Sequence, residues 1–314
     1  MKILLAGAYD DQFSAFRTLF PTVDFVRTDG AEVDIAEADA LIGMSRAPFD
    51  KVFTEHFLAT NKSVRWAHAP GAGIDFYLFP NLATSSITLT NGKIIQGPEV
   101  AEHAVALTLC LSRRIGLILK GVTNDRLPAP IELRGKTAVV IGFGGIGMLV
   151  AERLSAFGMT VDVVTETGMP LVSSVRKTYF GDQLMVALPN ADVVIMVAPL
   201  TPRSRNMLGR EQFNAMKQDA YLVNVSRGGT VDLGALVEAL DAGKFAGVGL
   251  DVTNPEPLPA DHRIRGFERV IVTPHLAGRS DRFRERNYEL ITTNIRRFIA
   301  GLPLINIVDK VAGF

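Results

Sequence analysis

Six short apolar runs recur between residues 137 and 273: TAVVI (137–141), VDVVT (161–165), DVVIMV (192–197), AYLVNV (220–225), AGVGL (246–250) and VIVT (270–273). Stretches of helical length separate most of them, the clearest being DLGALVEALDAGK at 232–244. A strand that is apolar along its whole length has to bury both faces. Alternation of such strands with helices therefore predicts a parallel sheet covered on both sides. Six strands in this pattern fit an α/β, doubly wound dinucleotide fold.

The region before them has the same grammar on a smaller scale. KILLAGA (2–8), ALIGM (40–44) and VRWAHA (64–69) are strand candidates with helical segments between them, which predicts a second open α/β sheet. Gly97-Pro98 then interrupts the chain, and Pro98 with Glu99 and Glu102 in the first turn marks a helix start. The stretch 121–136 is a loop, and after residue 280 DRFRERNYELITTNIRRFIAG forms an amphipathic helix expected to return to the first domain. A chain of 314 residues with 47% hydrophobic content is long enough for two such cores.

Charge and cysteine content narrow the partners. Lys+Arg and Asp+Glu both number 33, so nothing points to a nucleic-acid or membrane partner held by bulk charge. The expected ligands are small. The helix expected over 100–120, the most apolar of the chain, carries Glu102, His103, Arg113 and Arg114, which argues against a membrane span. The N-terminal MKILLAGAYDD reads as a first strand rather than a signal peptide. The single cysteine, Cys110, is expected in a core, and it fits a reducing, cytoplasmic setting. No metal site is expected.

The glycine-rich segment VVIGFGGIG follows a strand and precedes a helix, which turns a weak motif into a strong one. Gly142 makes the tight turn, Gly144 lets backbone approach a pyrophosphate, and Gly147 lets helix and strand pack closely. Gly145 and Ile146 lie between them at the helix N-terminus, where positive potential favours the phosphates. About 20 residues on, where an acidic residue normally grips the adenosine ribose, stand Thr165 and Glu166. Glu166 would repel a 2′-phosphate and 165–167 hold no arginine, so NAD is favoured over NADP, although Arg176 or Lys177 could come round.

Three further polar groups follow the ends of expected strands, the edge at which open α/β sheets bind ligands. Arg227 follows the fourth, Asp251 and Glu256 the fifth, and His275 the sixth. Delivery of hydride to a ketone leaves an alkoxide that needs a proton, and His275 is placed to give it. Glu256 would orient the ring through its other nitrogen, and Arg227 offers a planar fork to a carboxylate beside the carbonyl.

At these residues the chain resembles the D-isomer-specific 2-hydroxyacid dehydrogenase family. GFGGIG, VAPLTPRSRNML, LVNVSRGGTVD, GLDVTNPEPLP and VTPHLAG match its motifs in order, with HAPGAGID and VAEH upstream. The resemblance implies a flavodoxin-like substrate domain, 1–97 plus 281–314, split by a Rossmann cofactor domain, 98–280. It implies that Arg227, Glu256 and His275 form the catalytic set. Asp251 is then expected to hold the nicotinamide carboxamide, and the amides of Ala72 and Gly73 the substrate carboxylate. Ala198, Pro199, Val225, Ser226, Ala277 and Gly278 are expected against the cofactor. The implied activity is NAD(P)-dependent reduction of a small 2-keto acid, of the glyoxylate/hydroxypyruvate type, to the D-2-hydroxy acid. The implied assembly is a homodimer through the cofactor domain.

Two departures stand out: Thr165-Glu166 in place of the family's usual ribose-binding pattern, and Arg279 after HLAG. Arg279 and Arg46 are candidate pocket residues, and His103 is expected to be structural. Two other functions share the fold: an NAD(H)-sensing corepressor, whose flanking regions are not expected here, and a dehydrogenase of the formate or phosphite type.

Overall fold

In the computed structural model, which describes residues 1–29, 38–166 and 172–313, the named strands fall into two all-parallel sheets. The first unit comprises Met1–Gln96 and Ser280–Phe314 and the second Gly97–Arg279.

The first unit holds Lys2–Ala6 (β1), Asp24–Thr28 (β2), Ala40–Gly43 (β3), Trp66–Ala69 (β4) and Thr88–Asn91 (β5), in the order β2-β1-β3-β4-β5. This is the flavodoxin-like order, whose switch point lies between β1 and β3. β1, β3 and β4 lie in the middle and are almost wholly buried, as their apolar runs demand. β2 and β5 are the two strands that apolar runs do not announce. β2 is an edge strand with Asp24 and Arg27 exposed. β5 reads TLTN, yet its polar Thr90 and Asn91 are buried because they bond internally: Thr90 Oγ1 accepts from Trp66 Nε1 at 2.8 Å, and Asn91 Nδ2 donates to Ala72 O at 2.6 Å. The helix Phe283–Ile299 belongs to this unit and buries Ile291 and Ile295 among Ile3, Leu5, Phe16, Ile42 and Trp66.

The second unit holds Thr137–Ile141 (β6), Thr160–Thr165 (β7), Lys177–Phe180 (β8), Val193–Met196 (β9), Ala220–Asn224 (β10), Phe245–Leu250 (β11) and Val270–Val272 (β12). Their order is β12-β11-β10-β9-β6-β7-β8. The six expected strands are present in doubly wound order, and β8 extends the sheet beyond β7. Its sequence KTYF buries only Tyr179, so no apolar run marks it. The switch point lies between β6 and β9, above which the glycine segment turns.

Two local readings need correction. The stretch 100–120 is not one helix: Gly97–Ser112 ends before Arg114, which takes a left-handed φ of 62°, and Ile115–Leu119 starts a new turn. Arg114 holds that break with bonds from Nη1 to Ala246 O at 3.2 Å and from Nη2 to Ala129 O at 3.4 Å. Cys110 is half-buried rather than a core residue, because it lines a small hollow with Arg114, Leu117, Arg269 and Ile271. Among the described residues no helix is long and apolar enough to cross a membrane.

Candidate active site

The glycine segment has the shape of a phosphate cradle. Gly142 has a φ of +97°, and a Cβ there would sit 2.6 Å from the backbone of Ala198. A Cβ on Gly147 would lie 2.2 Å from the carbonyl oxygen of Gly142, so helix and strand touch where only glycine fits. Around Gly144 nothing stands within 4 Å of such a Cβ, which leaves the backbone open to a ligand. The helix Gly145–Ala156 begins here with no side-chain cap, so the first amides of Gly145, Ile146 and Gly147 are not taken by a capping side chain. These residues fit a dinucleotide. Ala198, Val225, Ser226 and Ala277 are buried at the same edge, with Pro199 and Gly278 beside them.

At the end of β7, Thr165 is buried and Glu166 is half exposed. The cations named as possible phosphate ligands are committed elsewhere. Arg176 grips both oxygens of the buried Asp162, at 2.9 and 2.5 Å, and Lys177 lies over the ring of Tyr179.

His275 and Glu256 meet. Nδ1 of His275 is 2.5 Å from Oε1 of Glu256. An ionised carboxylate only accepts, so Nδ1 carries the proton and Nε2 is left for chemistry. The side chains are 33% and 41% exposed, so the pair is reachable from solvent. The backbone explains the placement. After β12, Pro274 ends the strand, and His275 adopts a left-handed φ of 49°, unusual for a side chain with a Cβ. Its amide is held there by Asp251 O at 2.8 Å.

Asp251 is the hub of that loop. Its Oδ1 accepts from Thr273 Oγ1 at 2.6 Å and from the Leu276 amide at 3.0 Å, and its Oδ2 accepts from the Ala277 amide at 3.0 Å. Burial alone would raise its pKa, but bonds from His103, Thr273, Ala277 and Leu276 outweigh burial and hold the carboxyl well below the usual range. His103 Nε2 lies 2.9 Å from Thr273 Oγ1 and 3.4 Å from Asp251 Oδ1. Because the Thr273 hydroxyl proton points to Asp251, His103 is the donor. His103 thus braces the segment that carries His275, a link to this loop that its place in a helix did not reveal.

Arg227 follows β10 in a turn ordered by Asn224 and Thr230, neither of which stood out in the sequence. Asn224 Nδ2 and Thr230 Oγ1 both donate to Arg227 O, at 3.1 and 2.7 Å, while Asn224 Oδ1 takes the Ser226 amide at 3.0 Å. The fragment NVSRGGT carries this network in one run. Arg227 Nη1 donates to Ser226 O at 2.8 Å. Arg279 is exposed and makes no ion pair among the described residues.

In the first unit, the turn after β4 holds Ala72 and Gly73. Asn91 Nδ2 donates to Ala72 O at 2.6 Å, and the Ala72 amide donates to Gln96 Oε1 at 3.2 Å. The Ala72 amide is therefore engaged by a side-chain carbonyl, a relation invisible in sequence. Arg46 bonds Asp50 at 3.3 Å and stacks over Phe76, 4.2 Å from the ring centroid.

Residues 105–277 match the family model described as D-isomer specific 2-hydroxyacid dehydrogenase, NAD binding domain. The glyoxylate reductase of Thermofilum pendens is 33% identical over 249 residues, which cover 76% of this chain and 73% of that one. The D-3-phosphoglycerate dehydrogenase of Archaeoglobus fulgidus is 29% identical over 98% of this chain, which spans only 59% of its length. Among solved structures, a D-isomer specific 2-hydroxyacid dehydrogenase from Xanthobacter autotrophicus, in complex with NADPH and MES, superposes with a TM-score of 0.86. It is 26% identical, with 100% of this chain and 99% of that one covered.

Proposed function

The chain belongs to the D-isomer-specific 2-hydroxyacid dehydrogenase family and is an NAD(P)-dependent oxidoreductase of it; from that premise we propose that it reduces a small 2-keto acid, of the glyoxylate or hydroxypyruvate kind, to the D-2-hydroxy acid, and runs the reverse. The observation that carries this reading is the 2.5 Å contact between His275 Nδ1 and Glu256, which presents Nε2 as the proton-transferring atom.

When bound, the nicotinamide supplies or accepts the hydride. In the reductive direction protonated His275 gives its Nε2 proton to the carbonyl oxygen as the C–H bond forms, and is left neutral. In the oxidative direction neutral His275 takes the hydroxyl proton. Glu256 holds the ring in place and stabilises the charged imidazolium. Arg227 pairs with the substrate carboxylate and polarises the adjacent carbonyl through its second prong. The amides of Ala72 and Gly73 are assigned to the carboxylate, Asp251 to the carboxamide, and Arg46 and Arg279 to a further polar group of the substrate.

NAD is favoured over NADP, supported by the acidic Glu166 after β7 and by the commitment of Arg176 to Asp162. A cytoplasmic homodimer formed through the second unit completes the proposal. The exposed Ile118 and Leu119 of that unit support the dimer by offering apolar surface.

The test is loss of reduced-cofactor absorbance with NADH and NADPH in parallel, against glyoxylate, hydroxypyruvate, pyruvate, a branched keto acid and phenylpyruvate. Turnover of the small acids with a D-configured product (read on hydroxypyruvate or pyruvate, because glycolate is achiral) supports the proposal. Silence across the panel, with cofactor binding measured separately, would refute it.

A further inference from the structure

Glu166 is engaged with a cation that the sequence did not mark. Its Oε2 accepts from Arg203 Nη1 at 3.0 Å, and its Oε1 occupies the space of a missing side chain, since a Cβ on Gly181 would lie 1.9 Å away. The carboxylate is therefore seated against the chain rather than loose in solvent. Arg203 comes from another element, the turn after β9. That turn is pinned by Ser204 Oγ, which donates to Pro199 O at 2.5 Å and accepts from the Thr201 amide at 2.8 Å. Arg203 is 81% exposed, and an exposed pair of this kind contributes at most about 1 kcal/mol to stability, so it is free to exchange partners. The pair lies at the carboxyl edge of β7 and β9, the two strands that flank β6 and its glycine segment.

We propose that the Glu166–Arg203 pair selects the cofactor: Glu166 takes a ribose hydroxyl of NAD(H), and Arg203 is a latent ligand for the 2′-phosphate of NADP(H), held back by Glu166. The proposal rests on the preference for NAD given above. With Glu166 ionised, an incoming 2′-phosphate meets a repelling carboxylate and a guanidinium already neutralised. With an amide in its place the repulsion is gone. The guanidinium then turns to the phosphate, a stronger partner than a carboxamide.

The test is equilibrium titration of the whole chain with NADH and NADPH, read by nucleotide fluorescence and independent of any substrate. The unmodified protein should bind NADH more tightly. Glu166→Gln should strengthen NADPH binding by about tenfold, and the gain should shrink at high salt, as an exposed charge contact does. The double variant Glu166→Gln/Arg203→Ala should lose that gain. No gain in Glu166→Gln overturns the selector while leaving the NAD preference standing. A gain that survives in the double variant also overturns it, because Arg203 then takes no part. An unmodified protein that prefers NADPH overturns the selector and the NAD preference together. None of these results depends on whether 2-keto acids are turned over.

Discussion

Asp251 and Glu256 follow the same strand, yet their carboxylates live in opposite worlds. Asp251 is buried, and its oxygens are occupied by a hydroxyl and two backbone amides, with His103 alongside. Glu256 is 41% exposed, and among the described residues its partner is the ring of His275. One carboxylate gives most of its hydrogen bonds to architecture; the other keeps its single strong bond for the ring proposed to exchange a proton. Asp251 fixes where His275 stands, and Glu256 fixes which nitrogen it presents.

That contrast makes ordered predictions. The largest concerns Arg227, the group proposed to pair with the substrate, rather than either carboxylate. Arg227→Ala should lower kcat/KM by about 1,000-fold, with NADH affinity measured by fluorescence unchanged. A loss confined to NADH affinity would place Arg227 at the cofactor instead.

Asp251→Asn should cost roughly 3 kcal/mol of stability, since a neutral amide cannot accept from all the donors gathered there. The pH dependence sharpens this. The folded pKa of Asp251 is lowered, so its stabilisation is present above the ordinary value of 3.8 and is lost as pH falls below it. The variant should show a shallower loss of melting temperature in acid; an identical acid limb would remove Asp251 from its role as hub.

Glu256→Gln should leave melting temperature nearly unchanged and lower kcat by roughly tenfold to hundredfold. Equal effects on stability and rate in the two carboxylate variants would erase the contrast.

The effect most remote from the candidate site belongs to the first unit. Burial pushes the imidazole of His68 down from 6.5 to about 4, so it folds in neutral form, its Nδ1 2.8 Å from Thr90 Oγ1. The unfolded chain binds the proton more readily. Stability should therefore fall as pH drops from about 6.5 to about 4, and His68→Gln should flatten that slope in calorimetry.

The sequence carried most of the second unit because its strands are buried on both faces and therefore apolar throughout. β2 and β8 escaped because these edge strands bury only a few side chains, Phe25 and Thr28 in one and Tyr179 in the other. β5 escaped because Thr90 and Asn91 are buried through hydrogen bonds, which no hydropathy pattern shows. Within the candidate site, His275, Glu256 and Arg227 were legible as polar residues at strand ends. The bracing of Asp251 by His103, the resting of Gln96 on the Ala72 amide and the Glu166–Arg203 pair were not. Each joins residues distant in sequence, and such contacts come only from the topology that brings their elements together.

The most direct test of the account is His275→Ala, with glyoxylate reduction and NADH binding measured on the same preparation. kcat should fall by about 1,000-fold, with an NADH dissociation constant within about twofold of the unmodified protein. Turnover that survives the substitution would contradict the assignment of His275 as the proton donor.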